Sequence, residues 1–335
     1  METQDLEFKN ILVVHFGQLG DVVLGLPALR AIRRRFPDSK ITVLSGKSTL
    51  NIIRLARVAD EQIAVDRVEL RDGNKLRSIG KVFALARQIR QRHFDLVVDL
   101  HSLYETNLLG YFSGARYRLY ANRENRSLDR LSSFPIKPPL EDRSKHASER
   151  YLDVIRSLGI DPPRPVLEIA PDEQNVENVR ELLAGVGITD EPLVGMFLGA
   201  GHPSRRWDLK KYAELATRLT DNDGLKVLVF LGPEEIELLD EVKTAFPPST
   251  IILDKLGLLP LFAVLTFLRV LVSNDTGPTH LAATTQASIV LIVNKNAPTE
   301  FLPLTDRLTV VRSGEIDEIG VDEVYSAVRK AIVSR

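Results

Sequence analysis

Residues 273–283 read SNDTGPTHLAA and set a carboxylate, a hydroxyl, a glycine and an imidazole within one short turn. The apolar run Arg269 to Val272 before them reads as a strand end, and the residues after them as a helix start. Gly277 lets a ligand approach the backbone closely. Pro278 suits the first helical position, where its missing N–H is no loss. The open N–H groups of such a helix start favour an anion, most often a phosphate. Around that point Asp275 offers an acceptor, Thr276 a hydroxyl and His280 an imidazole. An ordinary capped βα turn contains the same residue types, so this segment alone leaves two readings open.

Two further segments carry compatible chemistry. Residues 11–27 read ILVVHFGQLGDVVLGLP, so Asp21 follows a buried strand at the carboxyl edge where open α/β sheets bind ligands. A carboxylate there serves either as a general base or as a helix cap. Gly17 and Gly20 give only G-x-x-G, short of the dinucleotide fingerprint of an NAD-type oxidoreductase. Residues 199–207 read GAGHPSRRW. Ser204 and Arg205 are suited to donate to diphosphate oxygens, and the planar arginine fork adds bidentate geometry. Arg206 reads as solvent-facing, Trp207 as a packing residue beneath the loop, and His202 is ambiguous. Glu234 and Glu235 follow another expected strand, Lys226 to Leu231, where a helix dipole also favours them as plain first-turn glutamates.

Taken with FDLVVDLHSL at 94–103 and NKNAPTEFLPL at 294–304, these segments resemble glycosyltransferase family nine, the heptosyltransferase family. Its members build the inner core of bacterial lipopolysaccharide from ADP-heptose. The resemblance spans nearly the whole chain. It implies an α/β, GT-B type fold with two doubly wound Rossmann-like domains facing a cleft. It aligns Asp21 with the family's catalytic aspartate and puts Arg205 where the family usually has lysine. It implies donor contacts from Ser204, Arg205, Asp275, Thr276, Gly277 and His280, with Glu234 or Glu235 on the nucleotide ribose. Gly17 and Gln18 stand where the family often has serine, a departure from its pattern.

The chain has 335 residues, room for about two domains. Apolar residues at 44% and charged residues at 27% are normal for a globular protein. The absence of cysteine excludes disulfides, thiolate zinc sites and cysteine nucleophiles, and fits a reducing compartment. METQDLEFKN does not resemble a secretory signal. The longest apolar stretch, Leu256 to Val272, is interrupted by Pro260, Thr266 and Arg269 and falls short of the ~20 residues of a membrane span. A cytoplasmic enzyme is therefore expected. Residues 1–165 hold 28 Lys and Arg against 20 Asp and Glu, a net +8, while residues 166–335 hold 16 against 25, a net −9. The basic half suggests an anionic partner. Its candidates come from the run Arg116, Arg118, Arg123, Arg126, Arg130, Lys137, Arg143, Lys145 and Arg150, with Arg116, Arg118 and Arg123 assigned to acceptor binding. No aromatic pattern accompanies them that would indicate nucleic acid.

Elements that position these residues follow from the apolar pattern. Runs at 11–15, 41–44, 95–100, 193–198, 226–231, 250–253, 269–273 and 288–293 read as buried parallel strands. Helical patterns at 27–36, 80–92, 148–158, 208–220, 234–244 and 278–285 lie between most of them. The alternation predicts doubly wound α/β sheets. The breaker cluster Asp161-Pro162-Pro163-Arg164-Pro165 coincides with the charge change and sets the boundary at about 165. Residues 1–165 are then an acceptor-binding domain and 166–335 a nucleotide-sugar-binding domain. The segment Leu258 to Leu268 is apolar on all sides, which predicts a buried helix, with a membrane-facing or partner-facing surface as the alternative.

The resulting expectation is an inverting glycosyltransferase with Asp21 as base. It moves heptose from ADP-heptose to an anionic lipopolysaccharide core at the inner face of the inner membrane, with peripheral membrane contact. His15, His93, His101, His146, His202 and His280 are scattered, no metal-ligand spacing appears, and Arg205 with a helix start meets the diphosphate charge, so neither metal nor cofactor is expected. The rivals are the same fold with another nucleotide sugar or glycan acceptor, a non-catalytic nucleotide-sugar-binding protein, and a nucleotide-sugar epimerase.

Overall fold

Short apolar, β-branched runs flanked by helices dictate parallel strands covered on both faces. The computed structural model describes residues 6–66, 75–162, 164–167, 169–189, 191–233 and 235–333. The chain divides between residues 167 and 168 into two compact units. In the first, β1 (Asn10–His15), β2 (Lys40–Gly46), β3 (Glu61–Val65), β4 (Leu96–Asp99) and β5 (Tyr117–Tyr120) form one sheet in the order β3-β2-β1-β4-β5. Every pair is parallel, with Val13 opposite both Val43 and Val98. Ile11, Leu12, Val13 and Val14 are all fully buried, so both faces of this strand are covered.

In the second unit β6 (Leu193–Phe197), β7 (Lys226–Phe230), β8 (Ile251–Leu253), β9 (Leu268–Asn274), β10 (Ser288–Asn294) and β11 (Leu308–Ser313) form a parallel sheet in the order β11-β10-β9-β6-β7-β8. Its core runs through Val194, Met196, Tyr212, Val229, Val272 and Ile292. The helix Leu258–Leu265 buries Leu261 through Leu265, so this apolar segment is core. No described helix is long and apolar enough to cross a membrane.

Both sheets reverse their winding direction once, between β1 and β4 in the first and between β6 and β9 in the second. Loops leaving the carboxyl ends of two such strands diverge and open a crevice. The segments after β1, β4, β6 and β9 are those that hold Asp21, His101, Arg205 and Asp275.

One element departs from expectation in a way that matters for the site. The helix expected over 27–36 begins at Leu19 and runs to Arg35 with Pro27 inside it. Burial of Val22, Val23, Leu24 and Leu26 outweighs the lost proline hydrogen bond. Asp21 consequently lies in the first turn of a helix, not in the turn before it. On the second unit's motif, the helix is Gly277–Ala282, six residues long, with Pro278 second.

Candidate functional site

At the switch point of the second sheet, the loop after β6 and the loop after β9 meet side chain to side chain. Arg205 Nη1 lies 3.5 Å from Asp275 Oδ2. Arg205 is about half exposed, so its guanidinium remains open to a further anion. Burial pushes the Asp275 carboxyl above its ordinary value, and the Arg205 charge partly opposes that rise. Ser204 is exposed on the short 3₁₀ turn Pro203–Arg205, whose first N–H is capped by His202: Ser204 N donates to His202 Nδ1 at 3.3 Å, and the Ser204 hydroxyl is 2.8 Å from the same atom. Thr276 and Gly277 are half-buried at the turn, and His280 is buried within the helix that follows. A six-residue helix carries a small dipole, so the positive charge at this crevice comes chiefly from Arg205.

A residue that sequence reasoning passed over holds the two loops together. Asn274, fully buried, accepts from the Trp207 backbone N–H at 3.0 Å and donates to the carbonyls of Leu198 at 3.2 Å and Gly199 at 3.4 Å. Trp207 is buried, and its indole N–H donates to the Ile319 carbonyl at 2.9 Å, which makes it the packing residue expected beneath the loop.

Arg206, expected to face solvent, instead turns inward and donates to Glu235 Oε1 at 3.1 Å. The Glu235 side chain is 5% exposed. A Cβ on Gly199 would sit 2.6 Å from its carboxyl carbon, and one on Gly232 would sit 2.7 Å from Oε2. Both glycines are therefore set by the space this carboxylate takes. Glu234 lies outside the described residues. Arg206→Ala is expected to destabilise the protein by on the order of 2–3 kcal/mol, less than for a fully buried pair because Arg206 is about a quarter exposed. Denaturant unfolding measures this, and a change within experimental error would mean that Glu235 does not depend on the guanidinium.

At the switch point of the first sheet, Asp21 is half-buried, and its Oδ2 accepts the Gln18 N–H at 2.9 Å. It therefore has the capping contact that its position allows, alongside any chemical role. Gly17 stands directly over it: a Cβ there would fall 2.3 Å from Asp21 Cβ and 2.8 Å from His15 Cε1. This crowding leaves no room for a side chain at position 17. His15, at the end of β1, is fully buried and packs edge-on to Tyr151 at 4.9 Å and tilted to His101 at 5.7 Å. Two of the histidines that look scattered in sequence are thus neighbours. Burial raises the Tyr151 phenol, and the Asp21 charge raises it further. Among the described residues no group of three or more His, Cys, Asp or Glu is arranged to hold a metal ion.

The loop after β4 is built on Asp99, which sequence reasoning did not single out. Its buried Oδ1 accepts from the backbone N–H groups of His101 at 3.1 Å and Ser102 at 2.7 Å, and its Oδ2 accepts from Asn107 Nδ2 at 2.8 Å. Ser102 sits at φ +43°, a left-handed conformation that these bonds hold. Burial pushes the Asp99 carboxyl up to about 6, against the opposing hydrogen bonds of Thr106, Ser102, Asn107 and His101. The native state therefore holds the proton more tightly than the unfolded chain. Stability from this group is complete below its ordinary value of 3.8 and is lost as pH rises through about 6. At neutral pH the charged form costs roughly 3 kcal/mol. The difference in unfolding free energy between wild type and Asp99→Asn should slope downward from pH 4 to 6; a flat difference would show that Asp99 titrates normally.

The three arginines assigned to acceptor binding are not brought together. β5 runs from Tyr117 to Tyr120, so Arg116 and Arg118 lie at the amino edge of the sheet, opposite the edge that holds Asp21. Arg118 is further tied to the carbonyls of Ala115 at 2.5 Å and Leu131 at 2.9 Å. Arg123 does lie beyond the carboxyl edge, but it is bonded to Glu141 at 3.1 Å and 3.2 Å and to the His101 carbonyl at 2.5 Å. Its side chain is 14% exposed. Beyond this edge Arg126 and Arg143 are exposed.

Two Rossmann-like units, with polar loops gathered at the switch point of each parallel sheet, are the architecture of the GT-B class. The glycosyltransferase family 9 structure from Veillonella parvula DSM 2008 matches with a TM-score of 0.86 at 24% identity, covering 99% of each chain. The Escherichia coli ADP-heptose lps heptosyltransferase II matches with a TM-score of 0.80 at 19% identity, over 97% of this chain and 99% of that one. The family model of glycosyltransferase family 9 (heptosyltransferase) matches residues 82–324, and the chain belongs to that family. Lipooligosaccharide heptosyltransferase 2 of Haemophilus influenzae is 22% identical over 322 residues, 92% of this chain and 91% of the relative.

Proposed function

We propose that the enzyme transfers heptose from ADP-heptose to the anionic inner core of lipopolysaccharide, with inversion and with Asp21 as general base. The observation that carries this reading is the Arg205–Asp275 pair at the second sheet's switch point, in a chain of the heptosyltransferase family. A half-exposed guanidinium beside a carboxylate suits the two ends of a nucleotide sugar. Arg205, with Ser204 and the Thr276–Gly277 turn, takes the diphosphate, and Asp275 accepts a sugar hydroxyl. His280 and Glu235 shape the pocket from within. In the reaction the acceptor oxygen bonds to the anomeric carbon as the bond from that carbon to the β-phosphate oxygen breaks. The acceptor proton passes to Asp21, and ADP leaves. Charge on the departing diphosphate is met by Arg205 in the transition state. The acceptor enters on the first unit, where Arg126 and Arg143 face solvent. The site of action is the cytoplasmic face of the inner membrane.

The test is a thermal-shift panel of nucleotides followed by product analysis. ADP should raise the melting temperature more than UDP or GDP at equal concentration, because ligands that bind only the folded state stabilise it by mass action. ADP-heptose should then be consumed only when acceptor is present. Preference for UDP would overturn the donor assignment. Donor conversion without acceptor would make the enzyme an epimerase.

A further inference from the structure

Helix Tyr104–Phe112 is amphipathic in the wrong sense for a soluble surface. Its buried residues are Thr106, Asn107, Leu109 and Gly110. Its outward stripe is Tyr104 at 47% exposure, Leu108 at 40%, Tyr111 at 47% and Phe112 at 52%. These fall at i, i+4, i+7 and i+8, one continuous face. The polar residues turn inward because they have work there. Asn107 bonds Asp99 at 2.8 Å and the Leu128 N–H at 2.7 Å, and Thr106 caps the helix by accepting the Leu103 N–H at 2.9 Å. That accounts for the inward face but not for four large apolar side chains in water.

The neighbouring helix, Lys75–Arg90, packs against this one and adds Phe83 at 72% exposure and Val82 at 42%. Six of the thirteen large apolar side chains exposed among the described residues thus lie on two adjacent helices. A patch of this kind marks an interaction surface. Its charge says what it meets. Helix Lys75–Arg90 contains no acidic residue, and Arg87 and Arg90 are exposed on it. Arg118 stands over the Tyr111 ring at 5.5 Å, and Arg90 Nη1 donates to the Phe112 carbonyl at 3.4 Å, so guanidinium groups rim the aromatic face. Glu105 is the acidic residue exposed on the same helix.

We propose that this face docks the enzyme on an anionic lipid bilayer. Phenylalanine and leucine enter the boundary of the acyl chains, tyrosines sit at headgroup depth, and arginines reach lipid phosphates. A second copy of the chain is a poor occupant, since a two-fold contact would set the same cationic rim against itself.

The experiment is co-sedimentation of the full chain with vesicles of phosphatidylglycerol and phosphatidylcholine in equal parts, against phosphatidylcholine alone. Wild type should partition to the anionic vesicles and release as salt rises from about 0.1 M to about 0.5 M. The triple variant Phe83→Ser, Leu108→Ser, Phe112→Ser should lose about tenfold or more of that partitioning, and Arg87→Glu should weaken it without changing turnover on a water-soluble acceptor. Melting temperature checks the folding of each. Should the triple variant melt early, Phe112→Trp decides: its emission should shift to the blue with anionic vesicles, against the constant background of buried Trp207. Equal partitioning of variant and wild type, no wild-type binding to anionic vesicles, an unshifted Phe112→Trp emission, or a wild-type dimer dissolved by the triple variant would each overturn the proposal.

Discussion

Asp21→Asn is expected to lower turnover by about 10²–10⁴-fold, the usual contribution of a positioned general base. Donor affinity should not change, because the carboxylate acts on the acceptor proton. The substitution separates chemistry from capping. Asparagine keeps an oxygen able to accept the Gln18 N–H that Asp21 accepts at 2.9 Å, and asparagine is a good residue near helix starts. The melting temperature should therefore hold. Asp21→Ala should lose both, with the cap costing about 1 kcal/mol. Steady-state kinetics, ADP titration and thermal melts on the two variants check this. If the asparagine variant keeps most of its rate while the alanine variant only melts earlier, Asp21 is a cap and the base lies elsewhere.

Arg205→Ala should weaken donor binding by about 10–100-fold, the loss of a charge-assisted contact of about 1.5–3 kcal/mol. Arg205→Lys should restore much of it as a point charge without the fork. The pair adds a second signature. Burial raises the Asp275 carboxyl and Arg205 opposes the rise, so removing Arg205 raises it further. If Asp275 must be ionised to accept a sugar hydroxyl, the acid limb of the kcat/KM profile moves to higher pH in the alanine variant. Activity and an acid limb equal to wild type would reject both the diphosphate contact and the pairing.

The strands of the sheet interiors were legible because burial on both faces writes continuous apolar runs. Strands β3, β5 and β11 were not: EQIAV, YRLY and LTVVRS lie toward or at sheet edges, and their burial is partial. Residues with a locally patterned role, such as Arg205 and Asp275, stood out from spacing, and the fold then set them 3.5 Å apart. Residues whose role arises between distant segments did not. Asn274 reaches partners more than sixty positions away, and Arg206 meets Glu235 across 29. The arginine run misled for the converse reason. Closeness in sequence suggested one cluster, whereas β5 places Arg116 and Arg118 at the amino edge of the sheet and Arg123 beyond its carboxyl edge.

The hydrogen bonds of Asn274 have a dynamic consequence. One buried amide joins the end of β9 to both the start and the end of the loop that carries Arg205, so the two loops are preorganised as a single body. A ligand arriving at that crevice meets donors already in place and forfeits little chain entropy on binding.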